Sequence, residues 1–473
     1  VTVSEEGVQG NGHGISVALN GNGCVRAFAF HGNNLVKDVE DTNGVADIVV
    51  FDCKTGKLTY VTIYTAPEDG THIQGNGESR FPTLNANGDI VVFCSNSTNL
   101  VHGWLDANGR DSDIFAYNRA TSEMQIVSVD SDGRQQNGGS CGPFVSGSMV
   151  AFHSAARLVP EDTNADVDIY IRDLTTGSIR LVSVPFDNRL SGNSFEPYIN
   201  CDGSVMVFNS EKRLIPEDED DKTDVYLAHI KSKEVELKLI GSGGTIASIN
   251  CMGDIGVFVS ADTLLPEDTN QAVDVYRFRI LDTGETKLEL ASVSSEELQA
   301  NNSSYFPVMD CSGNRVIFTS FATNLTDGNI SGVGDTFVRD MARGKTWRVS
   351  LTSGALEADS LSWLSTVSCD GRSAAFESLA NLIGERNNVW DVFLVTLPPQ
   401  GICGDLDDNN LVNKLDTNII LKIVVGKVKA TGTQLYLGDL NSDGKVDVLD
   451  AVISLRHISG SLPTLDECGT SVF

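Results

Sequence analysis

The sequence predicts a mainly β chain: a seven-bladed β-propeller closed by its N-terminal strand, followed by a small α-helical domain with calcium loops. Three observations predict it. One motif recurs seven times, and its aspartates lie 50 to 66 residues apart. Each repeat holds short apolar runs of strand length separated by turn residues. Beyond residue 399 that pattern gives way to two acidic loops, each opening an amphipathic helix.

The repeat begins with Gly followed five residues later by Phe: Gly23/Phe28, Gly88/Phe93, Gly147/Phe152, Gly203/Phe208, Gly253/Phe258, Gly313/Phe318 and Gly371/Phe376. A Leu follows each Phe by six or seven residues (Leu35, Leu100, Leu158, Leu214, Leu264, Leu325, Leu382). A polar loop then leads to an Asp heading an apolar run: Asp47, Asp113, Asp168, Asp224, Asp274, Asp335 and Asp391. The fourth unit shows the four strands: Pro197 to Ile199, Val205 to Phe208, Asp224 to Leu227 and Val235 to Leu239. Between the first two, Asn200-Cys201-Asp202-Gly203 is a tight turn, in which Gly supplies a positive φ. β-Branched and aromatic residues fill the strands. Seven four-stranded units at this period indicate a propeller, with a linear solenoid as the alternative.

The chain ends separate the two. Unit seven runs through Asp391 to Val395 and stops at Pro398-Pro399 without a fourth strand. VTVSEEGVQGNG from Val1 aligns with VSVDSDGRQQNG from Val127, where a fourth strand leads into the next unit. The N-terminus therefore completes the last blade, which a solenoid does not need. The expected domains are a propeller over 1–399 and a second domain over 400–473. Phrases such as LVPEDTNADVDIYIRDLTTG, from Leu158, resemble the TolB-like propeller repeats of exported proteins across residues 1–397. That resemblance implies a fold and an exported location more than an activity.

In the second domain, Asp439, Asn441 and Asp443 fall at positions 1, 3 and 5 of a twelve-residue loop. Gly444 provides the turn at 6, Lys445 a carbonyl at 7, Asp447 stands at 9 and Asp450 at 12. This spacing wraps hard oxygen ligands around Ca²⁺. Asp rather than Glu at position 12 departs from the usual EF-hand. A second copy lies 34 residues upstream, with Asp405, Asp407, Asn409, Leu411 (carbonyl), Asn413 and Asp416 in the same places. Its position 6 is Asn410, which tolerates a left-handed conformation. The expected helices are Leu415 to Val425 and Leu449 to Ile458.

Two such loop-helix repeats over 403–468 resemble a dockerin, the EF-hand-like module that docks onto cohesins in extracellular assemblies. The resemblance implies two bound Ca²⁺ and contact residues at loop positions 10 and 11, here Lys414, Leu415, Val448 and Leu449. These are not the Ser-Thr pairs of many clostridial dockerins, which argues against a clostridial type-I cohesin as partner.

Composition narrows the rest. With 34 Lys+Arg against 64 Asp+Glu the net charge is −30, which repels nucleic acid and anionic membrane and attracts divalent cations. No apolar run is long enough for a membrane span. Val1 without a preceding Met suggests a processed N-terminus and export. Among ten cysteines, Cys201, Cys251, Cys311 and Cys369 share one turn position in blades four to seven. Equivalent positions in neighbouring blades are expected to lie too far apart to bridge, which makes these four buried free thiols. Cys24 with Cys53, Cys403 with Cys468, and Cys94 with Cys141 are the candidate disulfides. The seven histidines do not recur at one repeat position, and no nucleophile elbow or phosphate loop occurs. A recurring Asp-x-Asn-x₃-Asp (Asp41/Asn43/Asp47, Asp162/Asn164/Asp168, Asp268/Asn270/Asp274) reads either as further propeller-loop Ca²⁺ sites or as loops bonding nearby amides.

The leading expectation is a non-catalytic extracellular or cell-surface scaffold or adhesion protein, assembling through its calcium-loaded module with a cohesin-like domain or copies of itself. The alternatives are a polysaccharide lyase or glycosidase on a propeller, its paired carboxylates hidden among many acids, and a glycan-binding propeller.

Overall fold

The computed structural model describes residues 2–37, 39–65, 72–186, 191–232, 234–383, 389–398, 405–406, 412–429, 434, 437–438, 440 and 445–461. It divides into two compact units, Val1–Val395 and Thr396–Phe473.

The first unit is a seven-bladed propeller. Six antiparallel sheets have four strands each, hydrogen-bonded in sequence order, and the seventh has three, Ser362–Val367, Ser373–Ser378 and Asp391–Thr396. A two-stranded hairpin, Ile63–Thr65 with His72–Gln74, sits between blades one and two. The repeat residues explain the sheets. All seven motif glycines have positive φ, between 56° and 78°, at the turn from first to second strand. Each motif Phe is buried in its second strand. In six blades it stacks on an aromatic residue directly across in the third strand, as Phe208 does on Tyr226 at 5.9 Å and Phe258 on Tyr276 at 5.6 Å. Such a pair contributes roughly 0.5–1.5 kcal/mol beyond its burial. The apolar clusters run between blades: Val25, Ala27 and Ile48 of blade one pack with Val91, Phe93 and Phe115 of blade two.

Every first strand carries a β-bulge at its third residue, which has positive φ: Ser16, Phe81, Gly142, Glu196, Ile246, Phe306 and Leu364. The register shift recurs there in all seven blades. An extra residue bends the strand and increases its twist, which suits strands that converge. They converge on an axis. Leu19, Leu84, Val145, Ile199, Ile249, Met309 and Val367, one from each blade, line a single cavity of about 90 Å³. That is room for only a few waters.

The cysteines correct one expectation. Cys201–Cys251 and Cys311–Cys369 are disulfides, each with Cα atoms 4.6 Å apart, and these four residues are not free thiols. The turns carrying them close around the axis, where neighbouring blades approach to the spacing of paired strands. Backbone bonds run from turn to turn: Cys201 N to Cys251 O (3.3 Å), Cys251 N to Cys311 O (3.0 Å) and Cys311 N to Cys369 O (3.1 Å). Cys24–Cys53 joins two strands of blade one, and Cys94–Cys141 joins blade two to blade three. Cys403 and Cys468 lie outside the described residues.

In five blades the Asp heading the third strand accepts a hydroxyl bond from the end of the fourth: Thr62 to Asp47, Ser128 to Asp113, Ser183 to Asp168, Ser292 to Asp274 and Ser350 to Asp335. In blade seven the donor is Thr2, whose Oγ1 lies 2.6 Å from Asp391 Oδ1. The N-terminal turn repeats that after blade two. Val3 bridges Gln9 as Val129 bridges Gln135, and Ser4 N bonds Val8 O as Asp130 N bonds Arg134 O. Gln9 Nε2 also donates to Asp391 Oδ2 at 3.0 Å, as Gln135 does to Asp113. The first residues of the chain thus make, on blade seven, the contacts that residues 128–135 make on blade two, but as a turn and not as the expected N-terminal strand. Among the described residues no strand precedes Gly14 and blade seven has no fourth strand, because the match to Val127 begins where the fourth strand of blade two has already ended.

The second unit contains two helices among its described residues, α1 (Lys414–Val424) and α2 (Val448–Ile458). Each begins one residue earlier than the sequence periodicity predicts. Ile420 and Ala451 pack with Leu406, Leu437 and Leu440 as a small apolar core. The Thr417 and Ser454 hydroxyls meet at 2.7 Å between the helices. No helix among the described residues is long and apolar enough to cross a membrane.

Candidate metal centre

Loop position 12 is where each acidic loop meets its helix. Asp416 is the third residue of α1 and Asp450 the third of α2, and both are wholly buried. A carboxylate in the first turn complements the helix dipole and reaches the exposed amides there. Both helices carry a full capping box: Asn413 Oδ1 accepts from Leu415 N (2.8 Å) and Asp447 Oδ1 from Leu449 N (2.7 Å). In return Asp416 Oδ2 accepts from Asn413 N (2.9 Å) and Asp450 Oδ2 from Asp447 N (2.7 Å).

The other oxygen of each carboxylate reaches back across the loop. Asp416 Oδ1 accepts from Leu406 N at 2.8 Å, and Asp450 Oδ1 from Leu440 N at 2.7 Å. Leu406 and Leu440 both occupy loop position 2, and both side chains enter the shared core. Position 12 therefore pins positions 2 and 9 together, in the same geometry twice. Sequence reasoning missed Leu406 and Leu440. Their signal was an apolar residue directly after the first acid in both copies.

The described ligand candidates are Asp405, Asn413 and Asp416 in the first loop and Lys445, Asp447 and Asp450 in the second. Asp407, Asn409, Leu411, Asp439, Asn441 and Asp443 lie outside the described residues. Asp405, next to Leu406 in the chain, is buried. The donor set is all hard oxygen, the chemistry that suits Ca²⁺. Of the four residues singled out at positions 10 and 11, Leu415, Val448 and Leu449 are 60%, 58% and 52% exposed, and Lys414 is exposed beside them.

The Asp-x-Asn-x₃-Asp loops of blades one and five are occupied by amides, and that of blade three by an ammonium group. In blade one Gln74 Nε2 bridges Asp41 and Asp47, and Asn43 Nδ2 donates to Asp47 Oδ2 at 3.0 Å. In blade five Gln299 Nε2 bridges Asp268 Oδ1 (2.8 Å) and Asp274 Oδ2 (2.9 Å). In blade three Lys212 Nζ reaches Asp168 Oδ1 at 2.8 Å. Burial pushes the Asp47 and Asp113 carboxyls up to about 6, against the pull of the Ser, Thr and Gln donors.

No protein-family model and no characterised protein matches the sequence. Among solved structures, the chain is similar to the β-propeller domain of the Trilobed protease from Pyrococcus furiosus, at 11% identity and a TM-score of 0.48, covering 81% of this chain and 92% of that one. It is similar to an oligogalacturonate lyase from Vibrio parahaemolyticus, at 11% identity and a TM-score of 0.47, covering 83% and 91%. TolB from Acinetobacter baumannii matches at 13% identity and a TM-score of 0.37, covering 75% and 76%. At such identities the likeness is one of propeller fold.

Proposed function

We propose that the protein is an extracellular, non-catalytic scaffold or adhesion protein that assembles through its C-terminal module once two Ca²⁺ ions fill the duplicated loops. The observation that carries the proposal is the apolar surface at the two helix starts. Leu415, Val448 and Leu449 stand exposed directly after the pinned loops, and Val452 and Leu455 continue the surface along α2 at helical spacing. Exposed apolar side chains grouped on one small module mark a surface made to be covered. Ca²⁺ would hold the several carboxylates of each loop together, so that ion binding and folding of the module are one equilibrium. The four disulfides suit a chain that works in an oxidising compartment. The partner is a cohesin-like receptor or a second copy of the chain.

Sedimentation of the full chain with and without a cohesin-like domain, in Ca²⁺ and in EDTA, tests this. Calcium-dependent association is expected, lost in EDTA and weakened at least tenfold by Leu449→Glu. Association that persists in EDTA, or a chain that associates with neither partner in Ca²⁺, would refute it.

A further inference from the structure

The third-strand Asp of six blades meets a nitrogen-bearing side chain: Gln74, Gln135, Lys212, Gln299 and Arg348 in blades one, two, three, five and six, and Gln9 in blade seven. Blade four differs. Its fourth strand, Val235–Gly241, passes to the first strand of blade five, Gly244–Ile249, through Ser242 and Gly243 alone. This connection holds no Gln, and its hydroxyl, Ser242 Oγ, bonds Asp220 rather than Asp224. Asp224 Oδ1 accepts instead from Gly243 N at 2.7 Å. Asp224 Oδ2 is buried with no hydrogen-bond partner among the described residues.

The same blade also has an additional acid. Asp220 stands where blades one, three and five have Asn43, Asn164 and Asn270. Carboxylate oxygens of Asp218, Asp220 and Asp224 all lie within 4.8 Å of one another. Asp218 and Asp224 are buried. The remaining contacts of the group are specific. Tyr226 OH donates to Asp218 Oδ2, Ser242 Oγ to Asp220 Oδ2 at 2.9 Å, Lys222 N to Asp220 Oδ1 at 2.9 Å and Asp220 N to Asp218 Oδ1 at 3.3 Å. The nearby cation, Lys222, is ion-paired with Asp262. A buried carboxylate oxygen left without a donor is destabilising, and adjacent acids add to that cost.

From this geometry we infer that blade four binds a calcium ion between Asp218, Asp220 and Asp224, where the other blades place an amide or a cationic side chain. Calcium–oxygen distances of about 2.3–2.6 Å put oxygens on opposite sides of one ion about 5 Å apart, which the observed spread matches. Ser242 Oγ lies within reach as a neutral ligand, and water completes the shell on the solvent side. The ion ties the loop between strands two and three to the short blade-four turn.

The site is independent of the C-terminal loops, and the test separates them. In the full chain carrying Asp405→Ala, Asp416→Ala, Asp439→Ala and Asp450→Ala, equilibrium dialysis against ⁴⁵Ca²⁺ is expected to find one ion per chain. Asp220→Asn, which installs the residue of the other blades, should remove it in that background and remove one ion from the otherwise unaltered chain. Tb³⁺ in place of Ca²⁺ should luminesce on tyrosine excitation through Tyr226 and lose that signal in Asp220→Asn. Equal ion counts with and without Asp220→Asn, or Tb³⁺ emission indifferent to it, would overturn the site. Near-ultraviolet circular dichroism confirms that the variant is folded, so a lost ion is not a lost fold.

Discussion

Replacing Thr2 by Val tests whether the first residues of the chain complete blade seven. Val keeps the shape of Thr and removes the hydroxyl that donates to Asp391 Oδ1 at 2.6 Å. Both residues are buried, Thr2 at 3% exposure and Asp391 at 8%. A hydrogen bond to a charged group is worth about 1.5–3 kcal/mol, and the carboxylate stays in place after its donor is gone. Thr2→Val should therefore lower the unfolding free energy of the propeller by about 2 kcal/mol. Ser128→Ala removes the equivalent donor from Asp113, 2.7 Å away, inside the continuous chain of blade two. It supplies the calibration. Urea unfolding of the full chain, followed by tryptophan fluorescence, should give closely similar losses for the two variants. If Ser128→Ala costs about 2 kcal/mol and Thr2→Val nothing, the N-terminal segment is not seated on blade seven in solution. Deleting Val1 to Gly7 removes Thr2 altogether and leaves Asp391–Thr396, the outer strand of a three-stranded sheet, without that contact, so this variant should also aggregate.

Peptide mapping without reduction should recover Cys201 linked to Cys251 and Cys311 linked to Cys369; quantitative alkylation of all four in unreduced protein would refute the pairing. Burial pushes the Glu377 carboxyl from its ordinary 4.5 up to about 7, opposed by the bond it accepts from Ser16 N. A carboxyl raised in the folded state stabilises fully below about pH 4.5, and that stability is lost as pH rises through 7. Glu377→Gln should flatten the fall in unfolding free energy between pH 5 and 8, by at most about 3 kcal/mol; identical pH slopes for the two chains would refute it.

The propeller was legible because its signal is redundant. Gly, Phe, Leu and Asp recur seven times, and in most blades each does the same physical work. The glycine turns, the phenylalanine stacks the sheet core, and the aspartate fastens the end of the strand beside it. Even the N-terminal match to residues 127–138 could be read, since Thr2 and Gln9 fall on Ser128 and Gln135 and make the same bonds. The bulges were not legible. Their third-residue positions hold Ser, Phe, Gly, Glu, Ile, Phe and Leu, with no common side chain, because the bend is imposed by convergence of the strands on the axis. In the helical unit the ligand spacing was plain, but the pinning of each loop runs through the main-chain amides of Leu406 and Leu440. A backbone donor leaves no mark on side-chain identity.

The cysteines show how a sound local inference fails at the scale of the whole ring. The turn position does require a small residue, and Gly21 and Ala86 occupy it in blades one and two. What misled is distance. Equivalent positions at the rim of a propeller are far apart, whereas at the axis they come within hydrogen-bonding range, and Gly21 N bonds Ala86 O at 2.9 Å just as Cys201 N bonds Cys251 O. Separation between blades is therefore a function of radius, and only a residue's place along its strand reveals the radius. Once that is known the pairing has a mechanical consequence. Four cysteines on consecutive blades form two staples, joining blade four to five and blade six to seven. On the chain-entropy account each closes a loop worth about 4 kcal/mol. The junction between blades five and six has no covalent link among these residues. It is held by the Cys251–Cys311 backbone bond and by apolar packing of Val257, Ile255 and Val275 against Phe318 and Val316. Reduction should thus loosen the stapled junctions toward the strength of this one, while leaving the ring closed by packing and by the N-terminal residues on blade seven.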